Sequence, residues 1–266
     1  MADTDLKGSV ALVTGGSLGI GRATCVALAR AGAQVAVNYR SHSDEADEVV
    51  QAIRDCGSQA IKVQADVADA LSVDKMIHEV VEHFGKLDIA IANAAYSERE
   101  TFLDADMAGF ERTVNVTMWG AVYLTRAAAR EMLQQGTRGA IVLVSSPHAF
   151  ISVPGSVAYN MSKAAVESMG KTAALELAEH GIRVNIIQPG WTDTPGERKY
   201  AGEEALKRAG RRIPMGRLGQ PEEIAESILF LCDPRNEYMT GATLLIDGGI
   251  SLPWWAADAE ISKLDR

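Results

Sequence analysis

Four apolar residues of β type, Val10 to Val13, run straight into Thr14-Gly15-Gly16-Ser17-Leu18-Gly19-Ile20-Gly21 and then into a helical pattern from Arg22 to Ala31. Strand, glycine turn and helix N-terminus in that order make an anion site, because glycine lets the backbone approach a phosphate and unpaired N–H groups point at it. The spacing Gly15-x3-Gly19-x-Gly21 departs from the strict G-x-G-x-x-G pattern, so position after a first strand carries the reading.

The same alternation continues. Strands are expected at Gln34 to Tyr39, Gln59 to Gln64, Leu87 to Ala92, Gly139 to Val144 and Arg183 to Gln188. Helices are expected over Ser43 to Asp55, Ala70 to Phe84, Met107 to Gln134 and Val157 to about Glu179. Strands alternating with helices predict an α/β fold, a doubly wound parallel sheet with helices on both faces. Ligands then sit beyond the carboxyl ends of the strands. At the end of the second strand stand Tyr39, Arg40 and Ser41. A carboxylate there favours the free 2′-hydroxyl of NAD, whereas Arg40 offers a planar fork, and Ser41 a hydroxyl, to the 2′-phosphate of NADP. NADP is therefore the expected preference with NAD tolerated, the alternative being that Arg40 is a solvated surface residue. Asp66, beyond the third strand, either reaches an adenine or caps the next helix, for which Asp69 is equally placed. Asn115 falls inside the long fourth helix, where asparagine is usually exposed or locally bonded.

Tyr159 and Lys163 lie at i and i+4 on one helix face. A phenol with a pKa of about 10 is a poor base at neutral pH, and a nearby ammonium favours its ionised form. Ser146, at the end of the fifth strand, can hydrogen-bond a substrate oxygen. Together the three predict proton transfer at an alcohol or carbonyl.

At 266 residues and 47% hydrophobic content the chain can bury a full core, and no linker or repeat divides it. A net charge of −9 argues against nucleic-acid binding. Cys25, Cys56 and Cys232 are widely spaced and lack metal-ligand spacing, which predicts neither disulfide nor metal site. There is no basic-then-apolar leader and no run of membrane-spanning length, so a cytoplasmic location is expected.

TGGSLGIG at 14–21, Asp66, Asn93-Ala94, Asn115, Ser146, Tyr159-x-x-x-Lys163, Pro189-Gly190 and Asp247-Gly248-Gly249 together resemble the short-chain dehydrogenase/reductase family over nearly the full length. The resemblance implies one Rossmann domain over 1–266 with a seven-stranded sheet, a substrate loop near 190–214 and a C-terminal tail over 250–266. It implies Tyr159 as acid/base, Lys163 as its partner and ribose ligand, Ser146 orienting the reacting oxygen, and Asn115 supporting a relay water. It further assigns the cofactor to Gly15, Ser17, Leu18, Gly19, Ile20, Gly21, Asp66, Val67, Asn93, Ala94, Pro189, Gly190 and Thr192. Where that family usually has Asn-Asn-Ala-Gly, this chain has Ala92-Asn93-Ala94-Ala95, which puts the loop beside the nicotinamide in question. Segments 38–41, 145–148 and 213–225 and the tail after Gly249 are most similar to bacterial glucose 1-dehydrogenases, which oxidise the anomeric carbon of a sugar to a lactone with NAD or NADP.

Substrate choice is expected at Ser146, His148, Tyr159 and Trp191. The Trp191 indole either covers the C–H face of a sugar or packs its loop onto the body, with Asp193, Glu197 and His148 nearby for hydroxyls. Leu252-Pro253-Trp254-Trp255 is apolar and packs on its own subunit or crosses to a neighbour; the family resemblance implies a homotetramer built on the long helices near Asn115 and Tyr159. A ketone or polyol reductase, or a non-catalytic dinucleotide-binding regulator on this fold, are the competing readings. The chain is short for the nucleotide-sugar epimerases that share the Tyr/Lys spacing.

Overall fold

The computed structural model describes residues 4–253, so Trp254 and Trp255 of the apolar tail lie outside the described residues. Seven parallel strands form one sheet in the order β3-β2-β1-β4-β5-β6-β7. They are β1 (Val10–Val13), β2 (Gln34–Tyr39), β3 (Ala60–Gln64), β4 (Ile89–Ala92), β5 (Ala140–Val144), β6 (Arg183–Pro189) and β7 (Thr243–Ile246). The order reverses between β1 and β4, which pair in register from Ala11↔Ile89 to Val13↔Ile91. That reversal opens a crevice at the strand ends where a ligand can enter.

Side chains alternate along each strand, so neighbours feed opposite layers. Val10 and Leu12 of β1 join the layer made with α3 (Ala70–Phe84), α5 (Gly120–Gln135) and α6 (Val157–Leu177). Ala11 and Val13 join the other, made with α1 (Gly19–Arg30), α2 (Ser43–Asp55) and α8 (Pro221–Cys232). Both faces are covered, so the central strands read as continuous apolar runs with no polar alternation.

Helix ends follow local chemistry. Asp69 caps α3, accepting from the Leu71 N–H at 3.1 Å, and Gly85 closes it at φ +84°. Asp69, and not Asp66, is therefore the cap of α3. The sequence reading did not place α7 (Glu203–Gly210) or α8 within the segment after β6. Helix α8 had a legible signal in Gln220-Pro221-x-Glu223, a reciprocal capping box with proline in the first turn. The long fourth helix is divided: α4 (Met107–Val114) passes into a π turn at Asn115–Trp119 before α5.

Arg183 of β6 is only 8% exposed. Its guanidinium donates to the carbonyls of Leu231 at 2.8 Å, Cys232 and Asp233 at 3.3 Å and Met239 at 3.4 Å, which closes the carboxyl end of α8 onto the sheet. Replacing Arg183 by Met leaves those buried carbonyls without donors, at about 1–3 kcal/mol for an unpaired group. A lowered urea midpoint by circular dichroism is the expected result; an unchanged midpoint would mean that water takes over the contacts.

Candidate active site

At the reversal point two side-chain amides, Asn38 buried and Asn93 half-buried, shape the glycine turn. Asn38 accepts the Gly15 N–H at 3.1 Å and donates to the carbonyls of Val63 and Ala65 at 3.3 and 3.2 Å, joining the ends of β1, β2 and β3. Asn93 donates to the carbonyls of Thr14 and Gly15 at 2.8 and 3.2 Å, joining β4 to β1. Gly15 and Gly19 take φ values of +61° and +53°, open to glycine and strained for other residues. A Cβ on Gly21 would lie 2.2 Å from the Gly15 carbonyl oxygen, so the first turn of α1 can press against the turn only as glycine. That first turn has neither a side-chain cap nor an acidic residue. Residues 17–21 thus present helix N-terminal N–H groups in a cradle that fits a pyrophosphate. Asn38 escaped the sequence reading because nothing local marks a buried amide reaching two other strands.

Beyond β2, Arg40 and Ser41 are exposed and Tyr39 is half-buried. Asp66 accepts the Ala68 N–H at 3.0 Å and faces two guanidinium groups, Arg112 at 3.2 Å and Arg40 at 3.9 Å. Two cations around one carboxylate leave this corner net positive. Arg112 was missed because it arrives from α4. Val67 is buried and touches Gly120, where a Cβ would come within 2.8 Å of its methyl group.

Ala94 donates its N–H to Thr14 Oγ1 at 3.2 Å, and no residue other than glycine has positive φ among the described residues. The backbone at Ala95 therefore does not call for the glycine usual there. On the far side, Pro189 ends β6, and Gly190 is required by Asp247, whose Cα would sit 2.5 Å from an added Cβ. Thr192 is buried, its hydroxyl donating to the Gly190 carbonyl at 3.0 Å.

At the other end of the crevice α6 carries Tyr159, half-buried, and Lys163, buried. The Lys163 ammonium donates to the Val144 carbonyl at 2.6 Å and lies 5.3 Å from the centre of the Tyr159 ring. Burial pushes Lys163 down to about 8, opposed by the charge of Glu167. Burial also pushes the Tyr159 phenol above its ordinary value, with Glu197 adding to the effect and Arg99 opposing it. This reverses the direction expected from the Tyr/Lys pairing: in the chain alone desolvation outweighs an ammonium turned toward a backbone carbonyl.

Ser146, 8% exposed, opens a short turn over Pro147–Ala149 and accepts the His148 N–H at 3.3 Å. The His148 ring stands edge-on to Tyr159, 5.2 Å between centres at 85°. Its Nδ1 lies 2.7 Å from Asn160 Oδ1, while Asn160 Nδ2 donates to the Val153 carbonyl at 3.1 Å. Since Asn160 must present its NH2 group to that carbonyl, its oxygen faces His148, so Nδ1 carries the proton and Nε2 is left as an acceptor. Burial lowers the His148 pKa and keeps the ring neutral near pH 7. Asn115 opens the π turn, its carbonyl accepting from the Gly120 N–H five residues on. Such turns recur at functional sites, and this one packs against α6.

Over this end lies the segment after β6. Trp191 donates its indole N–H to Glu197 at 2.9 Å and packs with Leu206, Ile213 and Leu218. Of the two readings left open for it, packing describes the chain alone. Glu197 also accepts from Arg99 at 2.7 Å, Arg99 lies 4.0 Å over the Tyr200 ring, and Tyr200 donates to the Ser97 carbonyl at 2.6 Å. Asp193 is engaged twice by Arg198, at 3.1 and 3.0 Å. The hydroxyl-binding set expected from the sequence thus reduces to His148, Ser146 and Tyr159, with Glu197 and Asp193 already paired.

Residues 15–251 match the family described as Enoyl-(Acyl carrier protein) reductase. The chain is 40% identical over 246 residues to L-rhamnose 1-dehydrogenase (NAD(P)(+)) of Sphingomonas sp., covering 92% of this chain and 97% of that protein. It is 34% identical over 249 residues to Glucose 1-dehydrogenase 2 of Bacillus subtilis, covering 93% and 96%. The crystal structure of a short-chain type dehydrogenase/reductase from Mycobacterium marinum superposes with a TM-score of 0.89 at 36% identity, covering 94% of this chain and 98% of that one.

Adding a methyl group at Gly21 has nowhere to go except into the Gly15 carbonyl and the Asn93 amide. Gly21→Ala is expected to weaken dinucleotide binding about 5- to 150-fold, since overpacking of this kind typically costs about 1–3 kcal/mol. Isothermal titration with NADP measures it, and unchanged affinity would show that the cradle does not hold the phosphates.

Proposed function

This chain belongs to the short-chain dehydrogenase/reductase family, an NAD(P)-dependent oxidoreductase acting on CH–OH groups, and from that premise we propose that it oxidises a sugar at the anomeric carbon. One observation carries the choice of substrate. His148, fixed by Asn160 with Nε2 as acceptor and set edge-on to Tyr159, places a second hydroxyl-binding group beside the reacting one. A substrate with a hydroxyl on the carbon next to the reacting carbon uses both. Two sugar 1-dehydrogenases among the full-length relatives support it. A ketone or polyol reductase of the same family is the competing outcome.

In this reading Ser146 holds the reacting oxygen and Tyr159 exchanges its proton. Lys163 has spent one of its three N–H donors on Val144, and the others remain for the nicotinamide ribose and for stabilising the phenolate. Asn115 supports a water in the proton path. Bound NAD(P) supplies the hydride acceptor or donor. During oxidation the phenolate form of Tyr159, stabilised by Lys163, would take the substrate hydroxyl proton, and the hydride from the same carbon would pass to bound NAD(P). The cradle at 15–21 takes the pyrophosphate, Asp66 and Val67 the adenine side, Asn93 and Ala94 the ribose side, and Pro189, Gly190 and Thr192 the carboxamide. Trp191 walls the substrate loop. NADP is the preferred form, because Arg40 and Arg112 outnumber Asp66 at the place a 2′-phosphate would occupy.

Assembly is read as a homotetramer. Met161 and Leu175 on α6 are 56% and 81% exposed, and Trp119 and Leu133 at α5 are 41% and 42% exposed, an apolar surface fit for copies of the same helices. The free cysteines suit a reducing cytoplasm.

Absorbance at the reduced-nicotinamide band, with each cofactor over aldoses, polyols and, in reverse, ketones, tests the substrate. Turnover on an aldose that vanishes in Tyr159→Phe, with cofactor binding retained, is expected; turnover on ketones alone would discard the sugar. Arg40→Glu should raise the KM for NADP about 10- to 100-fold, the value of a charge-assisted phosphate contact, while leaving that for NAD nearly unchanged. A wild type preferring NAD more than tenfold would overturn the cofactor choice. Sedimentation at micromolar protein should show a tetramer, and a lone monomer contradicts it.

A further inference from the structure

Glu167 lies one turn beyond Lys163 on α6, and the roles above leave it without a task. Its Oε1 accepts from Ser145 Oγ at 2.8 Å and from the side-chain amide of Gln188. Both donors are buried, at 3% and 4% exposure. Each adjoins the site, for Ser145 precedes Ser146 at the end of β5 and Gln188 precedes Pro189-Gly190 at the end of β6. One carboxylate oxygen therefore gathers the strand that orients the reacting oxygen, the strand that leads into the nicotinamide loop and the helix that bears Tyr159 and Lys163. Two donors converging on one oxygen suit a carboxylate, whose oxygens only accept.

A carboxylate in such a place also acts on the ammonium one turn away. Lys163 makes no ion pair among the described residues, its hydrogen bond going to a neutral carbonyl. The other groups around it carry no counter-charge: Tyr159 on its own helix and His148 on the 147–149 turn are neutral, as are Gln188 from β6 and Asn115 from the π turn. Of the charged groups on the elements packed against α6, Arg112 of α4 pairs with Asp66, Arg183 of β6 donates to carbonyls at the end of α8 and Glu131 of α5 accepts from Gln135, while Glu111 of α4 and Arg126 and Arg130 of α5 make no contact with Lys163. Arg99 and Glu197 act on Tyr159 and His148 from the segments above. We propose that Glu167 is a positioning residue: it ties β5 and β6 to α6 through one oxygen, and its charge keeps Lys163 in the ammonium form. The burial that lowers Lys163 to about 8 is opposed by Glu167 and by no other charge, which agrees with the geometry.

The proposal rests on the oxidoreductase reading for its meaning, yet it is testable without turnover. With lysine labelled at the ε carbon, NMR follows the titration of Lys163, assigned by its loss in Lys163→Met. Removing a negative charge destabilises the ammonium, so Glu167→Gln should lower the Lys163 midpoint by about one unit, and the alkaline limb of the kcat profile should move down with it. Should the glutamine variant not fold, Glu167→Met combined with Ser145→Ala and Gln188→Leu removes donors and acceptor together, leaving nothing buried unpaired, and carries the same expectation. Either variant, folded and with Lys163 titrating as in wild type, overturns the proposal. Absence of wild-type turnover would instead overturn the oxidoreductase reading, while the midpoint still decides for or against Glu167.

Discussion

The amide of Asn93, donating to the carbonyls of Thr14 and Gly15, is the contact on which the rest of the site depends. β1 and β4 leave the reversal point in opposite directions of the sheet, and this amide stitches the loops beyond them together. The glycine turn gains its shape from it, and α1 gains its aim. With Asn38 pulling from the β2 side, a turn that would otherwise fray in water is held by five side-chain hydrogen bonds reaching three other strands. Withdrawing these amides from water, Asn38 fully and Asn93 in part, is tolerable because their polar atoms find partners.

The catalytic end is governed by a different balance. Tyr159 and Lys163 are displaced from their solution behaviour mainly by loss of water, and each is displaced toward its neutral form. A neutral phenol beside a weakly held ammonium is a poised pair, in which a modest added interaction tips the proton either way. Pairing chemistry alone would have built a permanently ionised tyrosine, costly to bury and slow to release its charge. The surrounding dipoles are correspondingly neutral, from the Val144 carbonyl to the oriented imidazole of His148.

Much of this was legible in the residues. The alternation of strands and helices, the glycine turn and the four polar positions at strand ends fall where their patterns put them, because each rests on local chemistry: helical spacing, capping, apolar runs. What stayed hidden depends on contacts across long separations. Arg112 reaches Asp66 from 46 positions away and Asn93 reaches Thr14 from 79, so neither partnership leaves a local trace. The interruption at Asn115 is equally invisible, since a π turn uses the same apolar spacing as the helix it divides. The direction of the Tyr159 shift was misread for a related reason: spacing shows that an ammonium is near, but only packing shows how much water has gone.

The tie between Arg99 and Glu197 joins segments 98 positions apart, both outside the sheet. Two short surface excursions beside Tyr159 and His148 are therefore fastened to each other, while the residues beneath are anchored by the strands. Such a partition lets a lineage exchange what it accepts by redrafting two loops, with no penalty to the frame that binds dinucleotide. A compatible pair of loops must change in concert, however, because a new residue at either end of the tie orphans its mate. Divergence of substrate range on this scaffold should accordingly proceed by correlated steps rather than single ones.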